Sequence, residues 1–236
     1  MRIKLISCIS LDYDEVLLPH FMDHYSKLDI DSFHLILHSN KDFDIKKYNY
    51  LNVNLKLDKW VGIFDGVTKT NKFNNIIKEG KEEYILLADV DEFQIWNIKL
   101  KEAIKKYKAV WGTLRDRESK DKELIEVTSE ELNKQFPLIT KRTNWGSLDK
   151  PCLFPSTDYL LGPHNLKTNI NPHKNLIDID HYRWIKGRIE KMIERRHNYR
   201  QLNKKKIDSP MYRKLPNFDA DQIIEMYADR ENKTII

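Results

Sequence analysis

Long apolar runs are missing from this sequence. No stretch approaches the roughly 20 apolar residues that a membrane-spanning helix needs, so no span is expected. The run from Met1 to Ser10 resembles a secretory leader at a glance, but it is too short, and Asp12, Asp14 and Glu15 follow at once. A first β-strand fits it better. Glycine and proline are scarce, seven and eight in 236 residues, which excludes collagen-like and low-complexity classes. Cysteine is scarcer still, with only Cys8 and Cys152. Two thiols so far apart make no disulfide framework, and a reducing, cytoplasmic setting is the simpler expectation.

What is present suits one domain, or one domain with a tail. Apolar residues make up 40% of the chain and charged residues 33%, enough for a sizeable core under a well-solvated surface. The net charge of +5 is mildly basic. It favours polyanions in general, nucleotide diphosphates and anionic membranes included. It is too weak for a dedicated nucleic-acid binder, and no nucleic-acid recognition motif occurs.

The apolar pattern then gives an element order. Leu5–Ser10 and Phe33–His38 read as strands, with a helix between them beginning near Pro19 and carrying Phe21, Met22, Tyr25 and Leu28. Val53, Leu55 and Leu57 alternate with polar residues as a third strand does. Lys69–Lys78 reads as a helix that Gly80 ends. Tyr84–Ala88 is short, uniformly apolar and suited to the centre of a parallel sheet. Leu100–Lys108 reads as a helix, Ala109–Leu114 as a strand, Glu126–Lys134 as a helix. A helical spacing of Ile185, Ile189, Met192, Ile193 and Tyr199 runs through His181–Leu202, and a last helix is expected over Ala220–Tyr227. Strands and helices alternating in this way predict an α/β sheet. Ligands of such sheets bind beyond the carboxyl ends of the strands, here Ser10, His38, Asp89 and Arg115.

The chemistry concentrates in Tyr84-Ile85-Leu86-Leu87-Ala88-Asp89-Val90-Asp91-Glu92-Phe93. Asp-x-Asp alone is common in solvated turns. Directly after a buried strand, though, the two carboxylates can converge on one hard divalent cation, Mn²⁺ or Mg²⁺. Glu92 adds a third acid, and crowded carboxylates repel unless a cation compensates.

The segment Leu86–Phe93 resembles the DxDEF signature of GT-A-fold glycosyltransferases of the family 2-like and family 92-like groups. Leu18–Tyr25 with the strands flanking it, Lys150-Pro151-Cys152-Leu153-Phe154-Pro155, Gly162-Pro163-His164 and His181-Tyr182-Arg183 resemble further segments of those families, in the same order. The resemblance covers roughly Lys4 to Lys191. It implies a GT-A (Rossmann-like), mostly parallel sheet flanked by helices, with a helical C-terminal segment. The transferase domain would span 1–200, with 201–236 as a tail packed on or beside it. It also implies transfer of a sugar from a nucleotide-sugar, a UDP-sugar by preference, to a hydroxyl of a glycan or lipid-linked acceptor in glycan or cell-surface polysaccharide synthesis. Asp89 and Asp91 would hold the metal, with His181 and then His164 as the histidine that completes the site. Ser10, Asp12, His38, Lys72, Asp89, Lys150 and Arg183 are the candidates for donor binding. The chain departs from family 2-like enzymes after both early strands, where Ser10-Leu11-Asp12 and Ser39-Asn40 stand.

An inverting transfer needs a group to take the acceptor's proton. Asp116 and Glu118 follow a strand and are the candidates, against the plainer reading of a self-paired charged loop. Trp145, in Asn144-Trp145-Gly146, is the candidate platform for an acceptor sugar. The segment from Arg183 onward is strongly basic and fits either a packed helix with a solvated face or peripheral contact with an anionic inner membrane surface. The competing functions are a metal-dependent phosphodiesterase or nuclease, which would need a second set of metal ligands, and an inactive nucleotide-sugar-binding GT-A protein.

Overall fold

A computed structural model describes residues 1–49, 54–80, 83–140, 149–162, 165–167 and 173–204. In chain order the elements are β1 (Arg2–Ser10), α1 (Leu18–Ser26), β2 (Ser32–Ser39), β3 (Leu55–Val61), α2 (Gly66–Glu79), β4 (Glu83–Leu87), β5 (Glu92–Ile95), α3 (Leu100–Lys106), β6 (Val110–Glu118), α4 (Leu132–Gln135), β7 (Leu138–Thr140), β8 (Asp149–Pro155), β9 (Leu160–Gly162), β10 (Asn165–Leu166), β11 (His173–His181) and α5 (Arg188–Lys204). The main sheet has the order β3-β2-β1-β4-β8-β6-β11-β5, with β7 also paired to β6. Strands β1, β2, β3, β4, β6 and β11 run one way and β5, β7 and β8 the other. The fold is therefore mixed α/β, with a central, mostly parallel sheet flanked by helices.

Both faces of the sheet are covered, as the apolar strands require. Ile3, Leu5 and Ile9 of β1 pack with Phe21 and Tyr25 of α1 and with Ala103 and Ile104 of α3. Their neighbours Ile6 and Cys8 turn to the other face and pack with Phe73, Ile76 and Ile77 of α2. Pro19 falls in the first turn of α1, and the Asp65 carboxylate caps α2 by accepting from Thr68 N at 2.7 Å. Gly80 follows the last turn of α2 as its C-cap. Cys8 and Cys152 are free and buried, and burial pushes the Cys8 thiol up to about 12, so it is a core residue and no nucleophile.

Three expectations are corrected. The helix expected over Glu126–Lys134 is reduced to α4, because the Gln135 side chain bonds Thr128 N (2.8 Å) and Thr128 O (3.3 Å), taking backbone groups a helix would use. The helical pattern from His181 begins only at Arg188. His181 and its predecessors form β11 instead, and Gly187, at φ +85°, makes the break. Arg115 is not a strand tip, since β6 continues to Glu118. Strand β5 and the antiparallel β8, which enters between β4 and β6, were not foreseen. The helix expected over Ala220–Tyr227 and the tail 205–236 lie outside the described residues, and α5 runs to Lys204, past the boundary at 200. Among the described residues, no helix is long and apolar enough to cross a membrane.

Gly112 sits where β6 lies between β8 and β11. A Cβ there would meet the Ile179 side chain at 2.7 Å and Ile177 Cγ1 at 2.9 Å. Both neighbours are β-branched and stiff at χ1. Gly112→Ala is therefore expected to cost ~1–3 kcal/mol through overpacking, read as a lower urea midpoint at unchanged slope.

Candidate functional site

Asp89 leaves the end of β4 and enters a tight turn, closed by Glu92 N donating to Asp89 O at 2.9 Å. The same turn brings Glu92 Oε2 to 2.9 Å from Asp89 N. The turn is braced from behind. Tyr25 OH donates to Glu92 O at 2.9 Å, and Gln94 Nε2 donates to Leu87 O at 2.7 Å. Asp89, Asp91 and Glu92 are thereby fixed at the carboxyl end of a central strand.

Strand register supplies the rest. His181 of β11 lies opposite Glu92 of β5 on one side and Asp116 of β6 on the other. Residues directly opposite share a face of a sheet, so Glu92, His181 and Asp116 stand in one row. His181 Nε2 faces Asp91 Oδ2 at 3.4 Å, and His181 Nδ1 faces Asp116 Oδ1 at 2.7 Å. Asp116 also accepts from Trp184 Nε1 at 3.1 Å. Burial would push the imidazolium of His181 down, but the two carboxylates beside it hold its pKa above the ordinary value. Burial would raise Asp91 in turn, yet His181 keeps that carboxyl well below the usual carboxylate range.

Asp89 is differently placed. Its Oδ1 is 2.5 Å from Lys69 Nζ and its Oδ2 is 2.9 Å from Lys150 Nζ. Lys150 also reaches Glu92 Oε2 at 2.7 Å and is only 2% exposed. Burial acts against charge on both groups, but their attraction wins, leaving Asp89 below the carboxylate range and Lys150 above the ordinary lysine value. Lys150 thus supplies the compensating cation between two of the three acids.

A divalent ion fits the remaining groups. Ligand atoms of Asp91, Glu92 and His181 lie within 4.8 Å of one another, the one such group among the described residues. Adjacent ligands on an octahedral ion at about 2.1 Å sit about 3.0 Å apart, close to the 3.4 Å between Asp91 and His181. The Nδ1 contact to Asp116 leaves Nε2 to face the ion, the carboxylate–histidine arrangement of metal sites. Asp89, also expected as a ligand, has its oxygens at Lys69 and Lys150, and Glu92, which shares Lys150 with it, stands in the cluster with Asp91 and His181.

The other expected residues fall into three groups. Near the acids, Arg183 is buried, stacks over the Trp184 ring at 4.5 Å and comes within 4.0 Å of Asp116. At the ends of β1 and β2, Ser10 is buried, and its carbonyl accepts from Asp14 N at 2.7 Å. Asp12 accepts from Ser39 Oγ at 2.8 Å and Asn40 N at 2.9 Å. His38 reaches Gly62 O at 2.7 Å, packed against Trp60 and Phe64. Lys72 points over the Trp60 ring. It is Lys69, one helical turn earlier, that meets the acids. The third group is buried. Asp116 and Glu118 are each 1% exposed, and Glu118 accepts from Thr140 Oγ1 at 2.8 Å. His164 and Trp145 lie outside the described residues.

The basic helix packs one face inward. Lys191 of α5 is buried and pairs with Asp14, and Lys191 and Arg188 both help hold the Asp91 carboxyl down. Lys191 and Arg188 thus face into the protein toward Asp14 and the acidic turn.

No protein-family model and no curated protein matches the chain. Among solved structures, S. aureus TarS is 14% identical over 98% of this chain and 43% of its own, with a TM-score of 0.39. TarS 1–349 in complex with UDP-GlcNAc is 13% identical over 98% of this chain and 72% of its own, with a TM-score of 0.40. HddC from Yersinia pseudotuberculosis is 12% identical over 66% and 74%, with a TM-score of 0.36. The chain spans less than half of the longer TarS chain. Likenesses this low carry no argument about activity, which rests on the site itself.

Proposed function

We propose that the chain is a metal-assisted glycosyltransferase of the GT-A class that takes a nucleotide-sugar donor, a UDP-sugar first, and transfers the sugar to a hydroxyl of a glycan or lipid-linked acceptor. The observation that carries this reading is the row Glu92–His181–Asp116 beside Asp91, at the carboxyl ends of a mostly parallel sheet. In the transfer, the acceptor oxygen bonds to the anomeric carbon as the bond to the nucleoside diphosphate breaks, and the hydroxyl's proton passes to the departing diphosphate or to water. Asp91 and His181, with Glu92 in reach, would hold Mn²⁺ or Mg²⁺, which when bound neutralises charge on the diphosphate leaving group. Lys69 and Lys150 fix Asp89 and the turn, and the ends of β1 and β2 offer Asp12 and His38 toward the nucleoside. Asp116 acts behind His181 as a positioning residue, in place of the proton-accepting role expected for it. The transferase unit is taken as 1–204, since one helix is a cooperative element. A phosphodiesterase working with two metals is disfavoured by the single ligand cluster among the described residues.

The test is release of nucleoside diphosphate from a panel of nucleotide-sugars, with Mn²⁺ and with EDTA. Turnover of one donor that EDTA abolishes supports the reading. Turnover that EDTA leaves intact, or cleavage of phosphodiesters instead, overturns it.

A pH dependence follows from His181. Metal can bind Nε2 only after its proton leaves, and that proton is held above the ordinary pKa of 6.5. Mn²⁺ affinity therefore weakens as pH falls, by up to about tenfold per unit, with the break above 6.5. Asp116→Asn is expected to weaken Mn²⁺ binding about 10–100-fold and to move the break to lower pH. Titration calorimetry across pH reads both effects.

A further inference from the structure

Helix α5 lies across the loops that follow β1, β2 and β3. Tyr13 OH and Asn40 Nδ2 both donate to Glu194, and Lys191 pairs with Asp14. The Arg195 guanidinium sits 4.5 Å from the centroid of the Phe64 ring. These contacts set Arg188, Lys191 and Arg195 over the strand ends where the donor is placed, next to Arg183.

Of these four cations only Lys191 holds a carboxylate at hydrogen-bond distance among the described residues. Among the described residues, Asp14 is taken by Lys191 and Asp91 faces His181. Arg183 comes no nearer than 4.0 Å to the Asp116 carboxylate, and Arg188 and Arg195 have no carboxylate at ion-pair distance. The Nε atoms of Arg183 and Arg188 are buried without a hydrogen-bond partner, and Arg183 is 6% exposed. A buried guanidinium N–H left without an acceptor is costly unless a ligand supplies one. The crowding also shows in acidity. Burial, then Arg183 and Arg195, pulls Arg188 down to about 9, and burial pulls Lys191 down to about 8 despite Asp14.

We propose that Arg183, Arg188, Lys191 and Arg195 form a cradle for a diphosphate that grips it independently of the metal ion. Planar guanidinium forks match phosphate oxygens two at a time, and the start of α5 at Arg188 adds the positive end of a helix. Taking that diphosphate to be the donor's rests on the function proposed above. The cradle itself does not.

The experiment measures inorganic pyrophosphate and UDP binding to the full chain in EDTA, by calorimetry, at fixed ionic strength. The wild-type chain should bind pyrophosphate without metal. Arg188→Gln and Arg195→Gln should each weaken that binding at least tenfold, while Lys186→Gln, on an exposed residue paired with Glu126, should leave it unchanged. Arg188→Lys, which keeps the charge but loses the fork, should fall between. Far-UV circular dichroism and melting show whether each variant is folded. If Arg188→Gln is not, Arg195→Gln carries the test. Binding that requires Mn²⁺, or that equals wild type in the folded variants, overturns the cradle. Metal-free pyrophosphate binding with no nucleotide-sugar turnover would keep the cradle and remove the glycosyltransferase reading. Turnover without metal-free binding would do the reverse.

Discussion

Asp91→Asn is expected to lower donor turnover by about 10²–10³-fold or more, and to abolish measurable Mn²⁺ binding, while the chain stays folded. The size follows from what the carboxylate does. It carries the negative charge that faces His181 Nε2 at 3.4 Å, so an amide removes the anionic member of the proposed metal pair. Losses of this order are typical when one electrostatic contributor to a transition state is deleted. The fold survives for a local reason. His181 still has Asp116 at 2.7 Å, and with Asp91 neutral its raised pKa relaxes, so no buried charge is stranded. Asp89→Asn should behave differently. Asp89 holds Lys69 and Lys150, so its loss shows first in melting temperature and only second in metal affinity. Parallel Mn²⁺ titrations and thermal melts of the two variants separate the roles.

Lys150→Met has the largest expected effect on stability. The Lys150 side chain is 2% exposed and lies between Asp89 and Glu92, with Glu92 itself 4% exposed. Methionine fills similar volume but leaves the buried Glu92 carboxylate without its cation, while Asp89 keeps Lys69. Breaking a buried pair from one side costs about 3–5 kcal/mol, which for a chain of this length is a drop of about 6–20 °C in melting temperature. Adding Glu92→Gln should recover part of the loss, because the second change removes the stranded charge. If the single variant melts with wild type, Lys150 does not hold the acidic turn together.

Much of this site is legible in the chain. The apolar run Tyr84–Ala88 stopping at Asp89 predicts both a central strand and an acidic turn at its end, and β4 with its turn stands there. His181 comes from the resemblance, and its place beside Asp91 is in the structure. What periodicity does not carry is which strands are neighbours. The row Glu92–His181–Asp116 depends on β11 lying between β5 and β6, and β5 is only four residues long. Without that register Asp116 reads as a charged loop, and Lys69, one turn from the favoured Lys72, has no reason to be preferred. The partners of the α5 cations are hidden for the same reason. A basic helix looks solvated until its partners are known, and Asp14 lies far from Lys191 in the sequence. The corrected helix over Glu126–Lys134 shows the opposite limit, where one side chain, Gln135, claims backbone groups and overrides a reasonable local propensity.

The most direct measurement of the central claim is an anomalous difference map from crystals of the chain grown with Mn²⁺ and UDP. The account predicts a manganese peak bounded by the Asp91 carboxylate and His181 Nε2, with the diphosphate between that peak and the α5 arginines. A peak elsewhere, or nucleotide bound with no manganese beside Asp91, would contradict it.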